Sequence, residues 1–206
     1  MRIHRIVPRT RAEGPGIRFT IWVQGCHNGC PGCYSTALWD PRGGTETTPD
    51  VLIAQIRETP DIEGITFLGG EPMEQAADLA QIAAAAQKMG LSVLTFTGLI
   101  HENLLQEGDP DKLALLAQTD LLIDGPYQQA LHDTSRPWVG SKNQRYLFLT
   151  ERYQWTDIEK CRNRVEFRLD KNGVLRLNGM GDFAALEQIL SEKSMIRGND
   201  DGIHRI

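Results

Sequence analysis

No stretch of eighteen apolar residues occurs in the 206-residue sequence, and its first segment, MRIHRIVPRTRAEGPG, has no apolar run of the signal-peptide kind. Neither a membrane-spanning helix nor export is therefore expected, and the chain is read as cytoplasmic. Basic excess is also missing. The formal net charge is −5, whereas nucleic acids and anionic bilayers attract basic faces. Arg2, Arg5, Arg9 and Arg11 are too scattered to reverse that balance. There is no internal repeat and no low-complexity tract. Cysteine is scarce, with four in all, yet three of them crowd into GCHNGCPGCY as Cys26, Cys30 and Cys33. In a reducing compartment such clusters bind metal or do redox chemistry more often than they form disulfides.

At 40% hydrophobic the chain has material for one core, so a single domain over residues 1–206 is expected, with a core at about 13–150 and an extension over 151–206. Strand and helix patterns alternate. RFTIWVQ (Arg18 to Gln24) predicts a buried strand that runs straight into the cysteine loop. Pro49 to Glu58 predicts a helix, Gly64 to Leu68 a strand that meets GGEP, Glu74 to Met89 an Ala-rich helix, and Leu91 to Gly98 a strand. A helix over Glu102 to Gln118, the strand Leu121 to Asp124, a long polar loop and the strand Arg145 to Thr150 follow. This order predicts an α/β fold, a parallel sheet with right-handed crossovers rolled into an incomplete (β/α) barrel. Ligands of such sheets sit beyond the carboxyl ends of the strands, so the cysteine loop, GGEP, FTG and IDG should share one rim. Val165 to Asn178 alternates apolar and polar residues about Asn172-Gly173 and predicts an antiparallel hairpin. A helix near Phe183 to Glu192 and a fraying polar tail are expected after it.

Zinc wants four ligands in a closed tetrahedron, and the chain supplies no second knuckle. His27, between the cysteines, reads as a solvated or hydrogen-bonded side chain, and Cys161, in TDIEKCRNR, as a free structural cysteine. A 4Fe–4S cube fits the count better. Each iron takes one external ligand, thiolates are preferred, and three cysteines leave one iron open. An open iron is a coordination position for something to be activated, which is a condition for catalysis and not for simple electron storage.

The CxxxCxxC loop of Cys26, Cys30 and Cys33 resembles that of the radical S-adenosylmethionine superfamily, and GGEP (Gly69 to Pro72) resembles its amine-binding motif. The resemblance implies that S-adenosylmethionine chelates the open iron and that one electron cleaves its sulfonium to a 5′-deoxyadenosyl radical. Two glycines let backbone carbonyls approach a ligand, and a carboxylate accepts charge-assisted bonds from an ammonium, so Glu71 is the candidate amine acceptor. GPGIRFT (Gly14 to Thr20), CPGCYS and DGPY…PWVGSKNQR are similar to activating enzymes of glycyl radical enzymes. The short length and the PGCY stretch resemble the activases of anaerobic ribonucleoside-triphosphate reductases in particular, over roughly residues 13 to 147. On that pattern Gly32 and Tyr34 would line the adenine side, and Gly69, Gly70 and Glu71 the methionine side. Asp124 would serve the ribose or methionine end, with Thr97 a further candidate for the same pocket. The implied partners are a glycyl radical enzyme and an electron donor such as flavodoxin or ferredoxin. No general acid or base is needed beyond the cluster ligands.

One loop departs from the pattern. Where reductase activases carry Trp-Arg-Gly-Ser-Ser-Asn-Gln, this chain has Trp138-Val139-Gly140-Ser141-Lys142-Asn143-Gln144, which alters charge where a partner would approach. Three readings stay open: an activase, a self-contained radical enzyme for a small molecule or short peptide, and a non-catalytic metal-binding module. The short chain favours the activase, because a large partner can close an open barrel itself. The long loop from Gly125 to Arg145, with Tyr127, Trp138 and Lys142, is expected to dock that partner. Asp124 also has a plain reading as a turn residue before Gly125.

Overall fold

The computed structural model describes residues 1–181. The chain opens with β1 (Arg2–Thr10), β2 (Arg18–Val23), β3 (Thr45–Glu46), α1 (Pro49–Glu58), β4 (Gly64–Gly69), α2 (Ala76–Lys88) and β5 (Ser92–Phe96). It continues with α3 (His101–Glu107), α4 (Pro110–Ala117), β6 (Leu121–Asp124), β7 (Arg145–Phe148), α5 (Trp155–Glu159), β8 (Val165–Leu169) and β9 (Leu175–Gly179). Seven strands form one sheet in the order β3-β1-β2-β4-β5-β6-β7. The expected parallel arrangement holds for β2, β4, β5 and β6, whereas β1, β3 and β7 are antiparallel.

Three differences from expectation have identifiable causes. β7 runs antiparallel because the chain stays at one rim after Asp124, which pairs with Arg145, and never crosses back to the opposite end. β1 carries no clear strand signal in the sequence because register shifts between Ile3 and Arg5 and between Val7 and Thr10 break its two-residue alternation. The helix expected over Glu102 to Gln118 is two helices. Gly108 ends α3 in the left-handed region at φ 68°, the Asp109 carboxylate accepts from Asp111 N and Lys112 N, and Pro110 starts α4. The helix expected near Phe183 to Glu192 and the tail lie outside the described residues. Among the described residues no helix is long and apolar enough to cross a membrane.

The two faces of the sheet are covered differently. On one, Phe19, Ile21 and Val23 of β2 with Ile65 and Phe67 of β4 pack with Leu79, Ile82 and Ala83 of α2. On the other, Leu94, Leu121 and Ile123 pack with Trp138, Val139 and Ile158. Beside them Arg18 is fully buried. Its guanidinium donates to Thr66 Oγ1 (3.1 Å), Ser92 Oγ (2.5 Å), Tyr153 OH (3.1 Å) and the carbonyls of Pro15, Ile65 and Ser92. The expected hairpin is β8 and β9, docked beside β1: Glu166 accepts from Thr10 Oγ1 (2.8 Å) and Arg11 N (2.7 Å). Asn178 Nδ2 donates to Thr10 Oγ1 (3.0 Å) and to the buried carboxylate of Glu13 (3.1 Å).

Candidate cluster and cofactor site

Because β2, β4, β5 and β6 are parallel, the loops after them leave from the same rim, and backbone bonds tie them together. Gly70 N donates to Val23 O (2.9 Å), Glu71 N to Gly25 O (2.8 Å), Thr97 N to Ile123 O (2.9 Å) and Gly125 N to Leu99 O (3.0 Å). The approach of GGEP to the cysteine loop is so close that a Cβ on Gly70 would overlap Gly25 O.

Cys26, Cys30 and Cys33 are free, half-buried thiols. Burial pushes the Cys26 thiol up to about 11, and the charges of Glu71 and Glu74 add to that. Coordination to a metal offsets such a cost, since a coordinating thiol is deprotonated outright. Among the described residues no three His, Cys, Asp or Glu side chains converge on a single-ion position. A cube does not require that, because each iron takes its own thiolate. His27 is turned to Glu74, with ring Nδ1 2.9 Å from Oε2 and the backbone N–H donating to Oε1 at 2.8 Å. Cys161 sits after α5 with its thiol donating to Asp157 O (3.3 Å).

Glu71 is 1% exposed. Its Oε1 accepts from Met73 N (3.0 Å) and Thr97 Oγ1 (2.7 Å), and its Oε2 from Asn28 Nδ2 (2.8 Å) and Gly98 N (2.8 Å). Burial raises its pKa while these donors oppose the rise. The structure thus brings Glu71 and Thr97 together with the cysteine loop. Asp124 lies at the same rim, where its buried carboxylate accepts from Arg145 Nε (2.9 Å), Arg145 Nη2 (2.5 Å) and His101 N (2.9 Å). Arg145 in turn holds Glu102 through both oxygens (3.0 and 2.7 Å) and keeps that carboxyl down at about 2. Gly32 lies against the Gln129 side chain. Tyr34, 72% exposed, has its ring centroid 6.5 Å from that of His132.

Sequence reasoning named neither Asn28, Gly98, Gln129 nor Arg145 as site residues. Only Asn28 carried a signal, as a carboxamide set between two cysteines. Trp138, expected to dock a partner, is instead 5% exposed and packed with Leu94, Leu121 and Ile123, with φ 62° and its backbone N–H donating to Asn163 Oδ1 (2.8 Å), so it is a core side chain.

Residues 12–147 match the family described as "4Fe-4S single cluster domain". The anaerobic ribonucleoside-triphosphate reductase-activating protein of Salmonella typhi is 31% identical over 153 residues, 70% of this chain and 96% of that one. The protein of the same name from Escherichia coli K12 is 30% identical over 152 residues, with 70% and 96% covered. That of Enterobacteria phage T4 is 31% identical over 152 residues, with 70% and 92% covered. The crystal structure of QueE from Escherichia coli aligns at TM-score 0.38 and 21% identity over 47% of this chain and 52% of that one, a likeness from which nothing further follows. With such a match over well over half its length, and relatives of this identity aligned over nearly all of theirs, the chain belongs to the 4Fe-4S single cluster domain family and to the family of the anaerobic ribonucleoside-triphosphate reductase-activating proteins.

Proposed function

We propose that the protein is an activating enzyme of the radical S-adenosylmethionine type, which installs a glycyl radical on an anaerobic ribonucleotide reductase. The observation that carries this reading is the junction of the cysteine loop with GGEP, in a chain whose relatives bear the activating name over more than nine-tenths of their length. Cys26, Cys30 and Cys33 hold a 4Fe–4S cluster, one thiolate per iron. When bound, the cluster would supply the single electron for reductive cleavage of S-adenosylmethionine, the chemistry that allows a hydrogen atom to be taken from a glycine Cα of the partner. Gly69 and Gly70 let backbone approach the methionine end of the cofactor, beside Glu71 and Thr97. Gly32 and Tyr34 line the adenine side, and Asp124 with Arg145 fixes the loop at the ribose or methionine end. A sheet arranged as a partial barrel would leave the rim open to the reductase, and a donor of the flavodoxin or ferredoxin kind would supply the electron. The protein's own part is to bind, orient and exclude water.

Reconstituted without oxygen, the protein should hold about four irons and four sulfides per chain. Alanine at Cys26, Cys30 or Cys33 should abolish the cluster, while Cys161→Ala keeps it. With reductant, cofactor and the reductase, electron paramagnetic resonance should show a glycyl radical. Stoichiometric zinc without sulfide would overturn the reading, as would deuterium passing from a small substrate into 5′-deoxyadenosine with no radical on the reductase.

A further inference from the structure

We infer that Asn28 is a positioning residue, which fixes the cysteine loop against the cofactor rim through the buried carboxylate of Glu71. This role presupposes the cluster and cofactor assigned above. Asn28 lies midway between Cys26 and Cys30 and is half-buried. Among the described residues it is the one side chain of the cysteine loop that hydrogen-bonds Glu71, at 2.8 Å. The same carboxylate takes Gly98 N and Thr97 Oγ1 from the loop after β5 and Met73 N from its own loop. One charge therefore joins three loops, and with four donors on it Glu71 serves as their common anchor.

Gly98 provides the room. A Cβ there would fall 2.5 Å from Asn28 Nδ2 and 3.5 Å from Glu71 Oε2. The second side-chain link from the same loop, His27 to Glu74, involves an imidazole that is 76% exposed, and contacts of so exposed a group fix little. The bond from Asn28 is different in kind, since its acceptor is charged and out of water, where hydrogen bonds are strong. It holds the three thiols at a set distance from the loops that take the cofactor, and small misplacements at a reacting centre are costly.

The test compares parent, Asn28→Ala, Asn28→Asp and Gly98→Ala proteins, reconstituted without oxygen. Iron and sulfide content, the dissociation constant for S-adenosylmethionine by equilibrium dialysis, and the change in the reduced cluster's paramagnetic resonance spectrum on adding cofactor are measured. Asn28→Ala should keep its cluster, bind the cofactor about tenfold more weakly and lose most of the spectral change. Gly98→Ala should follow it. Asn28→Asp has the parent's shape but turns an acceptor toward a buried carboxylate, and it should be the worst of the three. A parent-like Asn28→Asp beside an impaired Asn28→Ala would mean that the side chain only fills space, and parent-like behaviour of all three would equally overturn the inference. Should Asn28→Asp fail to fold, Asn28→Ala and Gly98→Ala decide. Absence of cluster or cofactor binding in the parent would instead overturn the proposed function, and this role with it.

Discussion

Removing the Glu71 carboxylate leaves four donors without an acceptor, two of them backbone N–H groups that have no freedom to turn toward water. Glu71→Ala should therefore weaken S-adenosylmethionine binding by roughly 1.5 to 3 kcal/mol, the range for a hydrogen bond to a charged group. Equilibrium dialysis of the reconstituted protein checks this, and an unchanged constant would reduce Glu71 to a turn residue. Cysteine and glycine are legible in a sequence because their chemistry and backbone geometry are local. The partners of Asp124 are not, since Arg145 reaches it across 21 positions of chain.

Among the elements, the break between α3 and α4 is written in the sequence. Gly108, Asp109 and Pro110 stand in the order of a helix end, a cap and a first turn, and the apolar period running through them concealed it. Asp109→Ala should cost about 0.5 to 2 kcal/mol in urea unfolding, the range for an N-cap, and leave iron content untouched. A loss of iron would mean that this junction supports the rim. The central strands and the hairpin were predictable because buried runs and two-residue alternation are strong signals. β1 was not, because its register shifts erase the alternation. The antiparallel sense of β7 also could not be read, being set by where the Gly125–Gln144 connection travels and not by the residues of the strand.

For the molecule as a whole, the docking of β8 and β9 makes Glu13 a pH-sensitive joint. Burial raises its pKa, Glu166 adds to that, and Asn178, Arg5 and the Gly179 N–H act against it. A carboxyl whose folded value lies above its unfolded one contributes stability that is complete below the unfolded value and is lost as pH rises through the folded one. Glu13→Gln keeps an acceptor for Asn178 and removes the titration. Its stability relative to the parent should grow as pH rises above the ordinary carboxylate range, read from urea midpoints, and a difference that does not change with pH would mean that Glu13 does not titrate with unfolding.

The buried guanidinium of Arg18 gives the molecule an order of birth. Its acceptors leave the ribosome one after another, Pro15 first, then Ile65 and Thr66, then Ser92, and last Tyr153, whose hydroxyl is also 2.6 Å from Ser92 Oγ. A nascent chain that has reached Thr150 already contains all seven strands of the sheet, yet the cation beneath them still lacks its final oxygen. A released chain that stops at residue 150 should then be protease-sensitive, and one some twenty residues longer, with Tyr153 in place, resistant. Equal resistance of the two would show that the sheet matures without it. The cysteine loop is thus expected to rest on a finished body only after translation has passed well beyond Cys33.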